Sequence, residues 1–340
     1  MNRINLENIN IRTDLIVESI PNNEYIKEEK IDDIKISRIK IDENNKQIIN
    51  KQEGNYITIE FTDITNYEDR EKVGSILEKE IKNILKLNNI TDEDEGMIIG
   101  LGNSKSTADS LGPKVVDNIL ITRHLFLLNV NVKEGMRNIS AFSPGVMGTT
   151  GIETMDIISS ITKEIKPSFL IVIDALCASS IDRVNKTIQL TDTGIHPGSG
   201  VGNHRKEISK NKLNIPVIAI GVPTVVDAST IVNDTINYLF KHISYLKNNY
   251  EESKFVVKRF DNYLERIKSS NLTNSEKEYL GGIIGNLSDT EKKTLINEVL
   301  ESINYNLIVT PKEIDFIIDK LSDLISSSLN NALHKAVNNY

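Results

Sequence analysis

The apolar residues of this chain follow two periods that alternate along its length. Val73, Ile76, Leu77, Ile81, Ile84 and Leu85 recur every three to four positions with Glu and Lys between them, which predicts a helix burying one face. Ile34, Ile36, Ile39 and Ile41, and the cleaner alternation of Tyr56–Phe61, predict two strands able to pair around the Asn-rich stretch between them. Met97–Leu101, Phe169–Ile173 and Ile215–Ile220 are short apolar runs that close at glycine or aspartate, the pattern of strands covered on both faces. Thr187–Thr191 reads as a short strand of more polar alternation. Helical patterns lie between these runs. Val115, Val116, Ile119 and Leu120 mark one, with Pro113 in its first turn; Ile157–Ile165 marks another, stopped by Pro167; a third spans about 229–247. Residues 1–30 are mostly polar, and from about 250 onward the pattern is helical and charged, with Thr310, Pro311 and Glu313 marking a late helix start.

This order predicts an α/β fold: a mixed, largely parallel sheet with helices on both faces, followed by a mostly helical C-terminal segment. No internal repeat or low-complexity linker interrupts the chain, so residues 251–340 are expected to pack on a main domain ending near 250.

Composition narrows the partners. The 340 residues include 40 Lys and Arg against 48 Asp and Glu, a net charge of −8 that argues against a general nucleic-acid binder. The one cysteine, Cys177, excludes a disulfide within the chain and points to a reducing compartment. The N-terminus lacks the apolar run of a signal peptide, and no stretch approaches the roughly 18 apolar residues of a membrane span. These features imply an intracellular protein without a membrane partner.

Candidate chemistry gathers where strands end. Gly100–Pro113, reading GLGNSKSTADSLGP, is a glycine turn between a buried strand and a helix, with the carboxylate of Asp109 at its centre. Such turns lie at the carboxyl edge of a parallel sheet. A phosphate-binding reading fails, because Lys105 stands where a dinucleotide fingerprint needs glycine and no Gly-Lys-Ser/Thr follows. Asp174 ends another predicted strand. If the two strands are neighbours, both carboxylates reach one crevice and can share the acid and base roles of peptide hydrolysis. Asp109 as a helix cap and Asp174 as a turn residue is the competing structural reading. His196 and His204, eight apart in the glycine-rich stretch 193–204, could hold a metal with Asp174, although the spacing matches no standard ligand set. Arg205 could neutralise an acidic side chain of a peptide.

Longer blocks carry more. GLGN with TADSLGP at 100–113, SPGVMGTTGIET at 143–154, VIDALCASSIDRVNKTIQLTDTGIHPGSGVGNHRKE at 172–207, IPVIAIGVPTVVDA at 215–228 and NLIVTPKEID at 306–315 resemble the spore germination protease family across nearly the whole chain. The resemblance implies an atypical aspartic endopeptidase that degrades small acid-soluble spore proteins, assembles as a homotetramer in the spore cytoplasm and needs no cofactor or metal. Its core is implied to be similar to hydrogenase maturation endopeptidases. The family's two essential aspartates fall on Asp109 and Asp174. Gly100, Gly102, Asn103, Gly112, His196, Gly198, Gly200 and Arg205 are then expected to support the catalytic loop or the substrate. The family is made as a zymogen, and its processing junction corresponds to IRTDLIVES, so the cut is expected within Arg12–Leu15, with the bond between Asp14 and Leu15 favoured and residues 1–14 read as a propeptide. Residues 15–250 become the catalytic domain, and the chain as written the precursor. A metal-dependent peptidase using His196 and His204 with an aspartate, and a non-catalytic binding module for spore proteins, remain the alternatives.

Overall fold

The structure is a computed structural model that describes residues 13–20, 23–49, 51–129, 131–198, 205–248, 267, 269–302 and 307–337. The chain divides into two compact units. The larger takes in Arg12–Ala178, Asp182–Val225 and Thr310–Tyr340, and the smaller includes Ser179–Ile181 and Val226–Val309. The segment after residue 250 therefore contributes to both.

The larger unit is built on a sheet of β1 (Ile26–Ile31), β2 (Ile34–Ile41), β3 (Gly54–Glu60), β4 (Gly96–Gly100), β5 (Ile139–Phe142), β6 (Phe169–Ala178), β7 (Thr187–Thr191) and β8 (Val217–Asp227). Their spatial order is β1-β2-β3-β7-β8-β6-β4-β5. β4 runs parallel to both β5 and β6, whereas β1 to β3, β7 and β8 pair antiparallel in sequence across the other half. The expected mixed sheet is present, with an antiparallel share larger than its apolar runs suggest. β7, antiparallel to both β3 and β8, supplies two of the added pairings, and another comes from β1, a strand of sequence IKEEKI that lies exposed on the sheet's outer edge. An edge strand wetted on both faces needs no apolar alternation, so its pattern reads as polar coil.

The buried strands divide their side chains between two layers. Ile98, Ile171, Ile173, Ile188, Leu190, Ile218 and Ile220 face one core. That core is closed by α1 (Tyr67–Leu87), α2 (Leu111–Asp117) and a late helix described below. Met97, Ile99, Leu170, Val172 and Val217 face the opposite core, closed by α3 (Thr154–Ile165). Successive residues thus go to opposite cores, and this is why the strands look continuously apolar. α1 buries the six residues its period picks out, and Asn66 caps it by accepting from the Glu68 amide at 2.9 Å. A smaller cluster of Ile16, Ile39, Ile41, Ile49 and Tyr56 lies under the N-terminal segment.

In the smaller unit, α4 (Ala228–Asn248) contacts α6 (Asp289–Ser302), with α5 (Asn274–Gly281) between them in sequence. Thr273 and Glu276 form a capping box at the start of α5. The last two residues of β8 pair there with β9 (Ile308–Val309). The chain then returns to the larger unit as α7 (Ile314–Leu333), which packs on α1 and α2 and buries Ile318, Leu321, Ile325 and Leu329.

Two boundaries differ from expectation. The strand expected to end at Asp174 runs on to Ala178 as β6, so Asp174 lies inside it. The strand expected over 215–220 runs through Gly221 and Pro223 to Asp227. Gly221 is no turn: a side chain on it would overlap Leu176, so the glycine gives that leucine room while the strand continues.

Candidate active site

β4 and β6 are adjacent and parallel, with Gly100 opposite Ile173, so both end at one edge of the sheet. The loop leaving β4 makes a single 3-10 turn, Thr107–Asp109, before α2 begins. Three glycine contacts hold this loop down. Gly102 sits at φ +109°, and an added Cβ would collide with the Asp109 carbonyl. Gly112 presses on Leu101 and Ile173 backbone atoms, and Gly100 in turn on Gly112. The main chain of α2 therefore rests directly on the end of β4 and the middle of β6. That contact holds the Asp109 loop near enough for the charge of Asp109 to act on Asp174.

The two carboxylates have different surroundings. Asp109 is half-buried, and its Oδ2 accepts from the Asn103 amide at 2.8 Å. Burial raises its pKa, and this hydrogen bond opposes the rise. Asp174 is 5% exposed, and its Oδ1 accepts from the following amide, Ala175, at 3.0 Å. Its pKa lies well above the usual carboxylate range, first through burial and then through the charges of Asp109 and Asp14. Of the pair, Asp174 is the one whose surroundings favour the protonated form more strongly.

Asp14 is the third carboxylate of this group. Its amide donates to the Cys177 carbonyl at 3.1 Å, and its Oδ2 accepts from the Cys177 amide at 2.9 Å. The segment just before Leu15 is thereby tied to the end of β6, three residues beyond Asp174. Leu15 and Ile16 are buried, and Ile16 joins the cluster with Ile39, Ile41 and Tyr56. Glu18 and Glu60 both pair with Arg183, which fixes the following turn.

Asp14 also lines a cavity of about 400 Å³. Tyr56, Thr191 and Ala219 form one cross-strand row of its floor, and Gln189 and Gly221 belong to the next. Leu176, Lys51, Gln52 and His196 complete the part relevant here. The half-buried Lys51 ammonium has its pKa lowered by burial and propped up by the charge of Asp14.

The remaining expected residues lie around this region. His196 faces Gln52 at 3.5 Å in the cavity wall. Gly198 takes φ +71° in the stretch that follows, while His204 and Gly200 lie outside the described residues. Arg205 pairs with Glu153 at 3.8 Å. Among the described residues no three His, Cys, Asp or Glu side chains gather as a metal donor set. No described helix is long and apolar enough to cross a membrane.

Two residues here escape sequence reasoning. Lys51 precedes a strand in a polar stretch and carries no motif. Gln189 lies in TIQLT, and its only signal is a long amide at a strand position turned away from the core that Ile188 and Leu190 enter.

Comparison with known proteins places these features in company. A family model described as germination protease matches residues 14–340. The germination protease of Priestia megaterium is 45% identical over 357 residues, covering 98% of this chain and 96% of that protein. That of Bacillus subtilis is 44% identical over 346 residues, covering 96% and 94%. Among solved structures, a NiFe hydrogenase maturation protease from Thermococcus kodakarensis aligns with a TM-score of 0.28 at 14% identity, over 42% of this chain and 79% of that one.

Proposed function

The chain belongs to the germination protease family, and we propose that it is an endopeptidase that cuts peptide bonds with a water molecule activated between Asp109 and Asp174. The observation that carries this reading is the convergence of three carboxylates at one sheet edge, with Asp174 under the charge of both Asp109 and Asp14. In this reading Asp174 supplies the proton and Asp109 is the base. Like charges held close cannot both ionise readily, so the pair titrates as a unit. Asp109 keeps the Asn103 hydrogen bond that favours its charged form. The protonated acid polarises the carbonyl while the carboxylate draws a proton from water.

The same reading makes the chain its own first substrate, with the cut between Asp14 and Leu15 releasing residues 1–14. The anchoring of the residues that follow supports it, because Leu15, Ile16 and Glu18 are already held in the fold. Purified full-length chain, aged under mildly acidic conditions, is expected to yield a fragment beginning at Leu15 by intact-mass measurement. Only uncut chain, or a fragment with another N-terminus, would contradict this. Small acid-soluble spore proteins are the proposed substrates in the germinating spore's cytoplasm, and a homotetramer the proposed assembly.

Two other readings are separable. A metal-dependent peptidase using His196 would lose activity to a chelator and to His196→Ala, whereas the aspartate pair is expected to keep its rate with a chelator present. A binding module would hold spore proteins without cutting them.

A further inference from the structure

The peptide joining Asp14 to Leu15 is gripped from one side by a single side chain. Gln189 Nε2 donates to the Asp14 carbonyl oxygen at 3.1 Å, and Gln189 Oε1 accepts from the Ile16 amide at 2.7 Å. The amide's orientation is fixed by chemistry, because the Ile16 N–H can only donate and so must face Oε1. That leaves the NH₂ group aimed at the carbonyl. Gln189 is 7% exposed and lies in the β7 row bordering the cavity, paired across the sheet with Thr58 and Gly221. It is thus a buried donor fixed by a rigid element, not a surface amide that happens to reach the chain.

We propose that Gln189 is a third catalytic residue, whose side-chain amide holds the carbonyl oxygen of the bond being cut and stabilises the negative charge that develops on it. This assignment rests on the reading that Asp109 and Asp174 cut the chain after Asp14. Water adds to the Asp14 carbonyl carbon as the base carboxylate takes one of its protons, and the C=O π pair moves onto oxygen. The Gln189 N–H meets that oxygen as its charge grows, and the distance shortens from the ground-state value toward that of an oxyanion donor. Collapse restores the C=O bond and breaks the C–N bond to Leu15. The leaving nitrogen takes its proton from the aspartate pair, so atoms and charge balance without another reactant. The second contact, from Ile16 to Oε1, keeps the donor from rotating away during the reaction.

The test is the first-order rate of self-cleavage in the full chain, followed as the fragment beginning at Leu15. Gln189→Met keeps the side chain's size and removes both contacts, and is expected to slow cleavage on the order of 10²–10³-fold, the range for loss of one such donor. Gln189→Glu separates donor from clamp, since a carboxylate still accepts from Ile16 but offers no hydrogen to the carbonyl. Its rate relative to the parent is expected to rise as pH falls, because the introduced carboxyl regains an O–H donor once it is protonated. The charged groups sharing the cavity, Asp14, Lys46, Lys51 and His196, are present in both proteins, so the ratio isolates the titration of the new carboxyl together with its coupling to them. If Gln189→Met does not fold, the pH trend of Gln189→Glu alone decides. Folded variants cleaving within about threefold of the parent rate, or a Gln189→Glu ratio flat with pH, would overturn the proposal. Asp109→Asn and Asp174→Asn in the same assay isolate the underlying reading: continued cleavage in those variants would remove the aspartate pair whatever Gln189 does.

Discussion

Asp174→Asn is expected to slow peptide cleavage by about 10²–10⁴-fold, the usual worth of a general acid or base, and to leave the protein more stable than its parent at neutral pH. The two effects have one source. Asp174 is 5% exposed and sits under the charges of Asp109 and Asp14, which with its burial raise its pKa well above the ordinary range. The native state therefore keeps this proton over a pH range in which the unfolded chain has already released it. Stability depends on the difference in bound protons, so the parent loses stability as pH climbs from the ordinary carboxylate range toward the raised folded value. Asparagine has almost the same shape, can still accept the Ala175 hydrogen bond, and has no proton to lose. Its advantage in melting temperature should be clear at neutral pH and fade as the solution is acidified to the usual carboxylate range. Melting curves across pH, run beside the cleavage assay, check both halves. Parental activity would remove Asp174 from the chemistry, and a variant less stable at neutral pH would contradict the burial argument.

This coupling of lost stability to function also explains what the sequence could reveal. The core strands are legible because parallel pairing in a covered sheet forces long apolar runs, as in Met97–Ile99 and Phe169–Ile173. α1 is legible because one of its faces is wet and the other is not. Asp109 stands out because it sits in a glycine turn beyond a strand at the sheet's carboxyl edge, and Asp174 because an acid closes the apolar run Phe169–Ile173, although β6 itself continues to Ala178. The pattern does not choose between cap and catalyst, since a capping aspartate and a catalytic one look alike until their distance from another carboxylate is known. β1 is hidden by its exposure on both faces. Gln189 and Lys51 are hidden for a different reason: both act on Asp14, at sequence separations that no local window spans. The extension of β8 past Gly221 goes against the pattern because glycine usually marks a turn, whereas here it makes room for Leu176 across the sheet.

Gly112→Ala should be nearly as damaging to activity as loss of an aspartate, although it adds only one methyl group and removes no chemistry. An added Cβ at 112 would lie 2.6 Å from the Leu101 nitrogen and 2.7 Å from the Ile173 oxygen, and still closer to the Leu101 oxygen. All three are backbone atoms, and those of Leu101 and Ile173 are joined by the hydrogen bond that continues the β4–β6 ladder, 2.8 Å from Leu101 N to Ile173 O. No rotamer change relieves the overlap, so α2 must lift from the sheet. Asp109 lies three residues before Gly112, in the turn that leads into α2, and must move with it, while Asp174 stays with β6. Misplacing a reacting group by about 1 Å costs on the order of 10²-fold in rate, and overpacking of this kind costs about 1–3 kcal/mol in stability. Gly148→Ala is the matched control, because a Cβ there meets nothing within 4 Å: its rate should equal the parent's, and its melting temperature should not fall, since alanine favours the helical backbone at that position. The two losses in Gly112→Ala should also part on acidification. A rise in the shared pKa of the pair depends on how near the carboxylates lie, so moving Asp109 away weakens its effect on Asp174 and shifts the pH profile of any residual cleavage downward. A Gly112→Ala enzyme with parental rate and pH profile would show that the close seating of α2 on β4 and β6 does not set the distance between the two acids.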